Sequence, residues 1–382
     1  MTEVEDKKIE VKYRRAAQAI NNAGGTPIPI SDTLIAILKH IVSEEYLDFI
    51  MAFRRQKSQT LEQLKVSSKL SEDEILKNLD VLAKKGLIFN QPNRQSIMVY
   101  RLMPFINVGI FEYTFMKKLV YTDDEKELAN LYEKLKKEAR TSWFSNYDAF
   151  LTYLQRMKPI DRTIPFTTNK ESGEQLEIVV NEEVEVPEQS ILPSQKVEDL
   201  IEKFDDIAVG HCYCRHQKDL LGESCKQTDM RENCFTFGKS ARYTSEQGFA
   251  RIISKEEALA ILKKSEEDGL VHKAYHPNFD ITRDETSICN CCTDCCGQAG
   301  GPTVNATNFI SQINKDLCVG CGTCVEHCHT NSLKLNDEGK AERVGDYCIG
   351  CGVCAYFCPE NAISLVGNKR IVRIPPDRQN FN

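Results

Sequence analysis

From Ser31 onward apolar residues recur at helical spacing. Leu34, Leu38, Ile41 and Val42 follow a Ser31-Asp32 start signal, which predicts a helix. Thr60 predicts the cap of a second helix over Leu61–Ser68. After a turn at Leu70, Ser71 caps a third over Glu72–Lys85, where Glu74 completes a capping box. Ile75, Leu79 and Leu82 form its apolar face, and Gly86 ends it. The period then changes: Leu87–Phe89 and Ile97–Leu102, around a polar turn at Gln91–Gln95, read as a hairpin. Residues 104–160 continue as a helical connector, with Leu128, Leu131 and Leu135 opposing a charged side in Asp123–Arg140. Residues 1–30 are polar and hold Gly24, Gly25, Pro27 and Pro29, which predicts a short helix or a loose tail. Residues 161–195 hold Pro165, Pro187, Pro193 and an acidic run at 182–185, and read as an extended linker or a strand crossing between domains. Ser254 with Glu257 caps a last long helix that ends before Gly269.

The order helix, turn, helix, hairpin over 31–103 resembles a winged helix, a fold that implies DNA binding. Arg54, Arg55, Lys65, Lys84 and Arg94 suit that role. The first turn of the second helix, Glu72-Asp73-Glu74, argues the other way: three carboxylates repel phosphates and suit the helix dipole instead. Docking or dimerisation is the expected use, with nucleic acid disfavoured as a partner.

Composition narrows the classes. The chain has 382 residues, enough for two to four domains, and a formal net charge of −7, which excludes a general polycation. Apolar runs such as Leu34–Leu38 are far too short for a membrane span. Seventeen cysteines behind the opening Met-Thr-Glu-Val-Glu-Asp-Lys-Lys, which has no apolar signal core, predict a reducing cytoplasm and metal ligation. No phosphate-binding loop or dinucleotide fingerprint is present. Nothing in the pattern specifies an oligomeric state.

The C-terminal end carries two cysteine runs of one spacing, Cys318-x-x-Cys321-x-x-Cys324-x-x-x-Cys328 and Cys348-x-x-Cys351-x-x-Cys354-x-x-x-Cys358, the second followed by Pro359. Three thiolates from one tight loop suit three corners of an iron–sulfur cubane, and Gly320, Gly322, Gly350 and Gly352 let each loop curl around it. Zinc knuckles lack the trailing cysteine, and a disulfide framework belongs to small secreted chains. Residues 313–366 resemble the bacterial two-cluster ferredoxin family. The resemblance implies a pseudo-symmetric module of short hairpins and two short helices holding two 4Fe–4S clusters. It places one cluster on Cys318, Cys321, Cys324 and Cys358, and the other on Cys348, Cys351, Cys354 and Cys328, the fourth cysteine of each run crossing over. His329 stands where the second run has Pro359. It and His327 read as partly exposed histidines beside a loop, with a proton-coupled redox role as the alternative.

Nine more cysteines lie upstream: Cys212, Cys214, Cys225 and Cys234, then Cys289, Cys291, Cys292, Cys295 and Cys296. Doublets and Cys-x-Cys pairs are poor core filler, because adjacent side chains cannot face one apolar pocket. Thiolate ligation of a third iron–sulfur cluster or of zinc is the expected use. His211, His216, His272 and His276, with Arg215, sit near this district; one histidine is a candidate fourth ligand or proton donor, and each singly reads as an ordinary surface or supporting histidine. The strings Cys-Tyr-Cys-Arg-His, Cys234–Gly238, Ala250–Ala258, Gly269-Leu270-Val271-His272 and Ile288–Cys292 resemble a 4Fe–4S ferredoxin-type family of anaerobes over about residues 195–365. That resemblance implies redox work in an oxygen-poor host. The family continues Cys-Asn-Cys-Cys-x-Cys-Cys-Cys, whereas here Thr293 and Asp294 precede Cys295-Cys296 and Gly297 follows.

The expected fold class is a multidomain α+β chain. Its parts are a tail (1–30), a winged-helix-like domain (31–103), a helical connector and linker (104–195), a Cys-rich α+β domain (196–304), a two-cluster ferredoxin fold (305–368) and a tail (369–382). The expected function is electron transfer to or from a redox partner protein. An iron–sulfur oxidoreductase subunit with its catalytic centre in the Cys-rich domain is the alternative. A redox-responsive DNA-binding regulator comes third.

Overall fold

The computed structural model describes residues 3–24, 28–93, 95–176, 178–179, 196–276, 286–297 and 302–376. Two compact units make up the chain. The first is Met1–Asn146, Gly210–Ser224 and Arg242–Arg251; the second is Tyr147–Val209, Cys225–Ala241 and Ile252–Asn382. The 196–304 stretch contributes residues to both. The acidic run at 182–185 lies outside the described residues.

In the first unit the capped helices form where the pattern places them, at Asp32–Ile41, Leu61–Ser68 and Glu72–Lys84. Thr60 with Gln63 and Ser71 with Glu74 each close a capping box, which satisfies N–H groups that the helix start leaves orphaned. Met98–Leu102 pairs antiparallel with both Ser58–Gln59 and Ile88–Pro92. Leu34, Leu38, Leu64, Ile75 and Leu82 are fully buried beneath these elements.

The N-terminal segment departs from the short helix or loose tail. Glu3–Ala23 is a helix of 21 residues. Its buried face is built largely from Ala16, Ala17, Ala19 and Ile20, and Tyr13 Oη donates to the Val42 carbonyl at 2.8 Å. Alanines allow close helix packing without the strong apolar periodicity that marks a helix in a sequence.

A nine-stranded sheet has most of its strands in the second unit. Its order is Ile178–Val179, Ile363–Ile374, Thr303–Ile313, Asp161–Ile164, Val271–Tyr275, Ser287–Cys291, Glu232–Phe237, Ile207–His211 and Ala250–Ile252. Asp161–Ile164 is therefore an interior strand, parallel to Thr303–Ile313 and antiparallel to Val271–Tyr275. All four of its residues are buried, so this part of the 161–195 stretch takes the strand form of that expectation and not the linker form.

The two faces of the sheet differ. Ile164, Ala274, Ile288 and Phe235 share one face and form an apolar core with Val197, Leu200, Ile201, Ala258 and Leu262 from two helices. On the other face Cys289 pairs with Lys273, and Lys273 with Thr163. Side-chain alternation adds Asp161, Tyr275 and Cys291 to that face. Val271, also on it, joins the apolar core of the C-terminal module with Phe166, Ile349, Val353 and Tyr356.

Candidate metal centres

The C-terminal module builds one structure twice. Each cysteine loop turns through two glycines with positive φ, Gly320 and Gly322 in the first, Gly350 and Gly352 in the second. A Cβ on Gly320 would lie 2.2 Å from the Gly339 carbonyl oxygen, and one on Gly350 would lie 2.2 Å from that of Phe309. Backbone approaches this close require glycine. Short helices follow at Thr323–Glu326 and Val353–Tyr356. Beyond them Ser332 N–H donates to Cys328 Sγ at 3.1 Å, and Ala362 N–H to Cys358 Sγ at 3.3 Å.

The fourth cysteine of each run joins the loop of the other. Cys358 lines one pocket with Cys318, Cys321 and Cys324. Burial, and then Cys358, Cys318 and Cys321 as neighbours, push the Cys324 thiol up to about 11. In the second half burial pushes Cys351 up to about 12, with Cys348 and Cys328 adding to it. Burial, then Cys351, Cys348 and Cys328, drive Cys354 well above the ordinary thiol range. Converging buried thiols resist ionisation on their own, and it is the charge of a metal that makes them thiolates. The donor sets therefore fit two thiolate-ligated clusters.

The halves differ in exposure. Cys321 is exposed, as are its neighbours Leu317 and Val319, and Thr323 Oγ1 donates to Cys321 Sγ at 3.4 Å, which lowers that thiol. In the second loop Ile349, Val353 and Ala355 are buried. Phe166 N–H donates to the Cys351 carbonyl at 3.0 Å, and Asn169 Nδ2 to the carbonyls of Ala355 and Cys358 at 3.2 and 3.0 Å. His329 sits at the position matching Pro359, with Nε2 at 2.9 Å from the Cys292 carbonyl oxygen. Burial pushes its imidazole down to about 4, so the ring is neutral at neutral pH. His327 stacks on Phe357 with ring centroids 3.9 Å apart.

Upstream, Cys225, Cys292, Asp294 and Cys295 offer ligand atoms that all lie within 4.8 Å of one another. The loop that carries Cys225 is held in place by Gln227, whose Oε1 accepts from Thr293 N–H at 2.8 Å and whose Nε2 donates to the Asp268 carbonyl at 2.9 Å. Asp294 takes the Cys225 thiol at 3.2 Å and the Lys226 N–H at 2.7 Å. Burial opposes its ionisation, but these donors hold it at about 2. The Cys292 thiol, and then burial, push Cys225 far up; burial, then Cys292 and Asp294, push Cys295 up to about 12.

A second thiol group lies on the polar face of the sheet. Cys289 and Cys296 are thiol neighbours of Cys291. Lys273 Nζ lies 3.2 Å from Asp161 Oδ2, and both side chains are within 3 % of full burial. Burial would lower Lys273, but Asp161, Cys291 and Cys296 raise it, so it carries its charge. Asn305 Nδ2 donates to Asp161 Oδ1, and Thr163 Oγ1 donates to Asn305 Oδ1 at 3.0 Å.

The other predicted residues fall as follows. Cys212 stands at the start of the helix Tyr213–Leu220, which includes Cys214, and both belong to the first unit. There Arg215 and His216 are buried, and His216 stacks on His211 and bonds the Phe115 carbonyl through Nδ1 at 2.9 Å. His272 lies on the sheet face away from Cys289 and bonds Asn290 Oδ1 through Nδ1 at 2.7 Å, which gives it a structural partner. Asp294, Lys273 and Asp161 are site residues that the sequence reading missed. The spacing Cys292-x-Asp294-Cys295 was the available signal for the first; the others become visible only through strand pairing.

Residues 311–365 match the family model of a 4Fe–4S dicluster domain. Over 33 residues the chain is 46% identical to a protein of Methanosarcina thermophila named "Probable ferredoxin". That stretch is 9% of this chain and 57% of the relative's length. No solved structure matches the chain. Among the described residues no helix is long and apolar enough to cross a membrane. The C-terminal segment of this chain is thus a ferredoxin-type 4Fe–4S dicluster module, and iron–sulfur electron transfer is the role it supports.

Proposed function

We propose that the protein carries electrons through two 4Fe–4S clusters to or from a redox partner, and that an upstream thiolate centre takes part. One cluster is assigned to Cys318, Cys321, Cys324 and Cys358, the other to Cys348, Cys351, Cys354 and Cys328. The observation that carries the assignment is the crossing of Cys358 into the pocket of the first loop. Each cluster, when bound, supplies a one-electron site. The N–H groups of Ser332, Ala341 and Ala362 donate to ligand sulfurs and so stabilise added negative charge. The exposed loop around Cys321 is the entry for the partner, and the buried loop keeps water from the second site.

The upstream centre is assigned to Cys225, Cys292, Asp294 and Cys295 as a thiolate-rich iron–sulfur or zinc site. His329 ties it to the module by bonding the Cys292 carbonyl directly after Cys328. One feature favours an oxidoreductase subunit as a second reading. Asp294 is a hard oxygen donor among soft thiols, and a small molecule displaces it more easily than a thiolate.

The 31–103 region is proposed to be winged-helix-like and to serve docking. Lys65 is neutralised by Glu62 and Glu72 at 2.8 and 2.7 Å, which removes a phosphate contact beside the acidic turn. A reducing cytoplasm is the proposed location.

Anaerobic purification with iron, zinc and acid-labile sulfide analysis, together with EPR of the reduced protein, tests the assignment. About eight iron per chain in the module is expected. Zinc without sulfide would overturn it. Recovery of a single DNA sequence at nanomolar affinity and physiological salt would overturn the docking role.

A further inference from the structure

The two cysteine doublets, Cys291-Cys292 and Cys295-Cys296, divide their sulfurs between two places. Cys292 and Cys295 face Cys225 and Asp294. Cys291 and Cys289 lie on the polar face of the sheet, and Cys296 is a neighbouring thiol of Cys291. For Cys291-Cys292, at the end of the strand Ser287–Cys291, the physical reason is alternation: adjacent residues of an extended chain point to opposite faces.

The second group is built, not incidental. Cys289 and Cys291 share the polar face of their strand with Lys273 and Tyr275. Ser287 pairs with Thr236 and Ile288 with Phe235, and Asn290 Nδ2 donates to the Asn233 carbonyl at 2.7 Å. Continuing that register sets Cys234 opposite Cys289. Cys234, Cys289, Cys291 and Cys296 are all buried. Their neighbour is a buried ammonium, Lys273, whose partner Asp161 is further held by Asn305. A buried cation beside several thiols suits a group of net negative charge, and with Asp161 engaged by Lys273 and Asn305 the remaining donors are soft sulfurs, which select iron–sulfur or zinc.

We propose that Cys289, Cys291 and Cys296, with Cys234, hold a second upstream thiolate-bound metal centre, separate from the one at Cys225, Cys292, Asp294 and Cys295, with Lys273 as its counter-ion. The chain then carries two upstream centres beside the dicluster module. The inference rests on the reading that the upstream cysteines bind metal.

The test uses the full chain, purified anaerobically, and three variants: Cys289→Ala with Cys291→Ala, Cys292→Ala with Cys295→Ala, and all four changes together. Iron, zinc and sulfide are counted per chain, and intact mass is read under native conditions. Each double variant should lose a different share of the metal beyond the module's complement, and the fourfold variant should lose both. Loss of sulfide with the first pair identifies an iron–sulfur centre; loss of zinc alone identifies a mononuclear one. Equal losses in both double variants, with no further loss in the fourfold variant, would mean one shared site and would overturn the proposal. So would full metal retention in the first variant. The module's own iron and EPR signal report folding in every variant. If the variants lose that signal, the native mass of the unsubstituted chain decides: two increments beyond the module support the proposal, and one or none overturns it. Absence of the module's iron from the unsubstituted chain would instead defeat the electron-transfer reading.

Discussion

The two halves of the dicluster module share a backbone and differ in their surroundings. Both loops turn at paired glycines, and both fourth cysteines accept an N–H from four residues on. Yet Cys321 is exposed, as are nearby Leu317 and Val319, whereas Cys351 is half-buried in a loop lined by buried Ile349, Val353 and Ala355. Cysteine spacing fixes what a loop binds; the covering of that loop decides who can reach it. The exposed half is suited to meet a partner. The buried half ends in Cys328-His329, which touches the carbonyl of Cys292. The two halves thus differ in what they face, solvent on one side and the upstream thiols on the other.

The comparison is broken most severely at the ligands. Cys351→Ala should cost the buried site about four iron and unfold the module around it, because metal binding there is folding free energy. Limited proteolysis and visible absorption would report this. Cys321→Ala should also lose about four iron but leave the other site and the fold intact. Equal damage from both variants would remove the distinction between the halves.

Glycine replacement is expected to come next. Gly350→Ala drives a Cβ into the Phe309 carbonyl at positive φ and should destabilise the unit by about 3 kcal/mol in denaturant titration. Gly320→Ala meets the carbonyl of Gly339 in a short hairpin turn that can move, so about half that loss is expected. A milder effect at Gly350 would place the buried loop in a softer setting than its packing indicates.

His329→Pro makes the first run match the second. It removes the bond to the Cys292 carbonyl and should cost about 1 kcal/mol with iron content unchanged. Electron equilibration between the module and the upstream centre should slow, as read by freeze-quench EPR. Unchanged equilibration would detach His329 from the path. The smallest change in stability, within about 0.5 kcal/mol, is expected for Val319→Glu on the exposed loop. It should nonetheless slow reduction by a protein donor.

Local chemistry was legible in the sequence. Thr60, Ser71 and Ser254 cap helices because a side-chain oxygen three residues before an N–H needs no tertiary contact. The ferredoxin runs were legible for the same reason, since one loop supplies three cysteines. What was not legible depends on partners far along the chain. Asp161–Ile164 begins with two charged residues and precedes Pro165, so it reads as linker or as a strand crossing between domains. It becomes an interior strand only when residues 272–274 and 305–306 flank it. Lys273 would pass as a solvent-facing strand residue until Asp161 arrives beside it. The alternation that splits Cys291 from Cys292 was implicit in the period of a strand, but the two destinations were not.

Solvent access to each reduced cluster tests the central claim most directly. In the dithionite-reduced protein, a soluble dysprosium chelate should strongly enhance relaxation of one 4Fe–4S EPR signal and barely affect the other. The sensitive signal should vanish in Cys321→Ala. Two signals relaxed to the same degree, or a sensitive signal that survives in Cys321→Ala, would contradict the account.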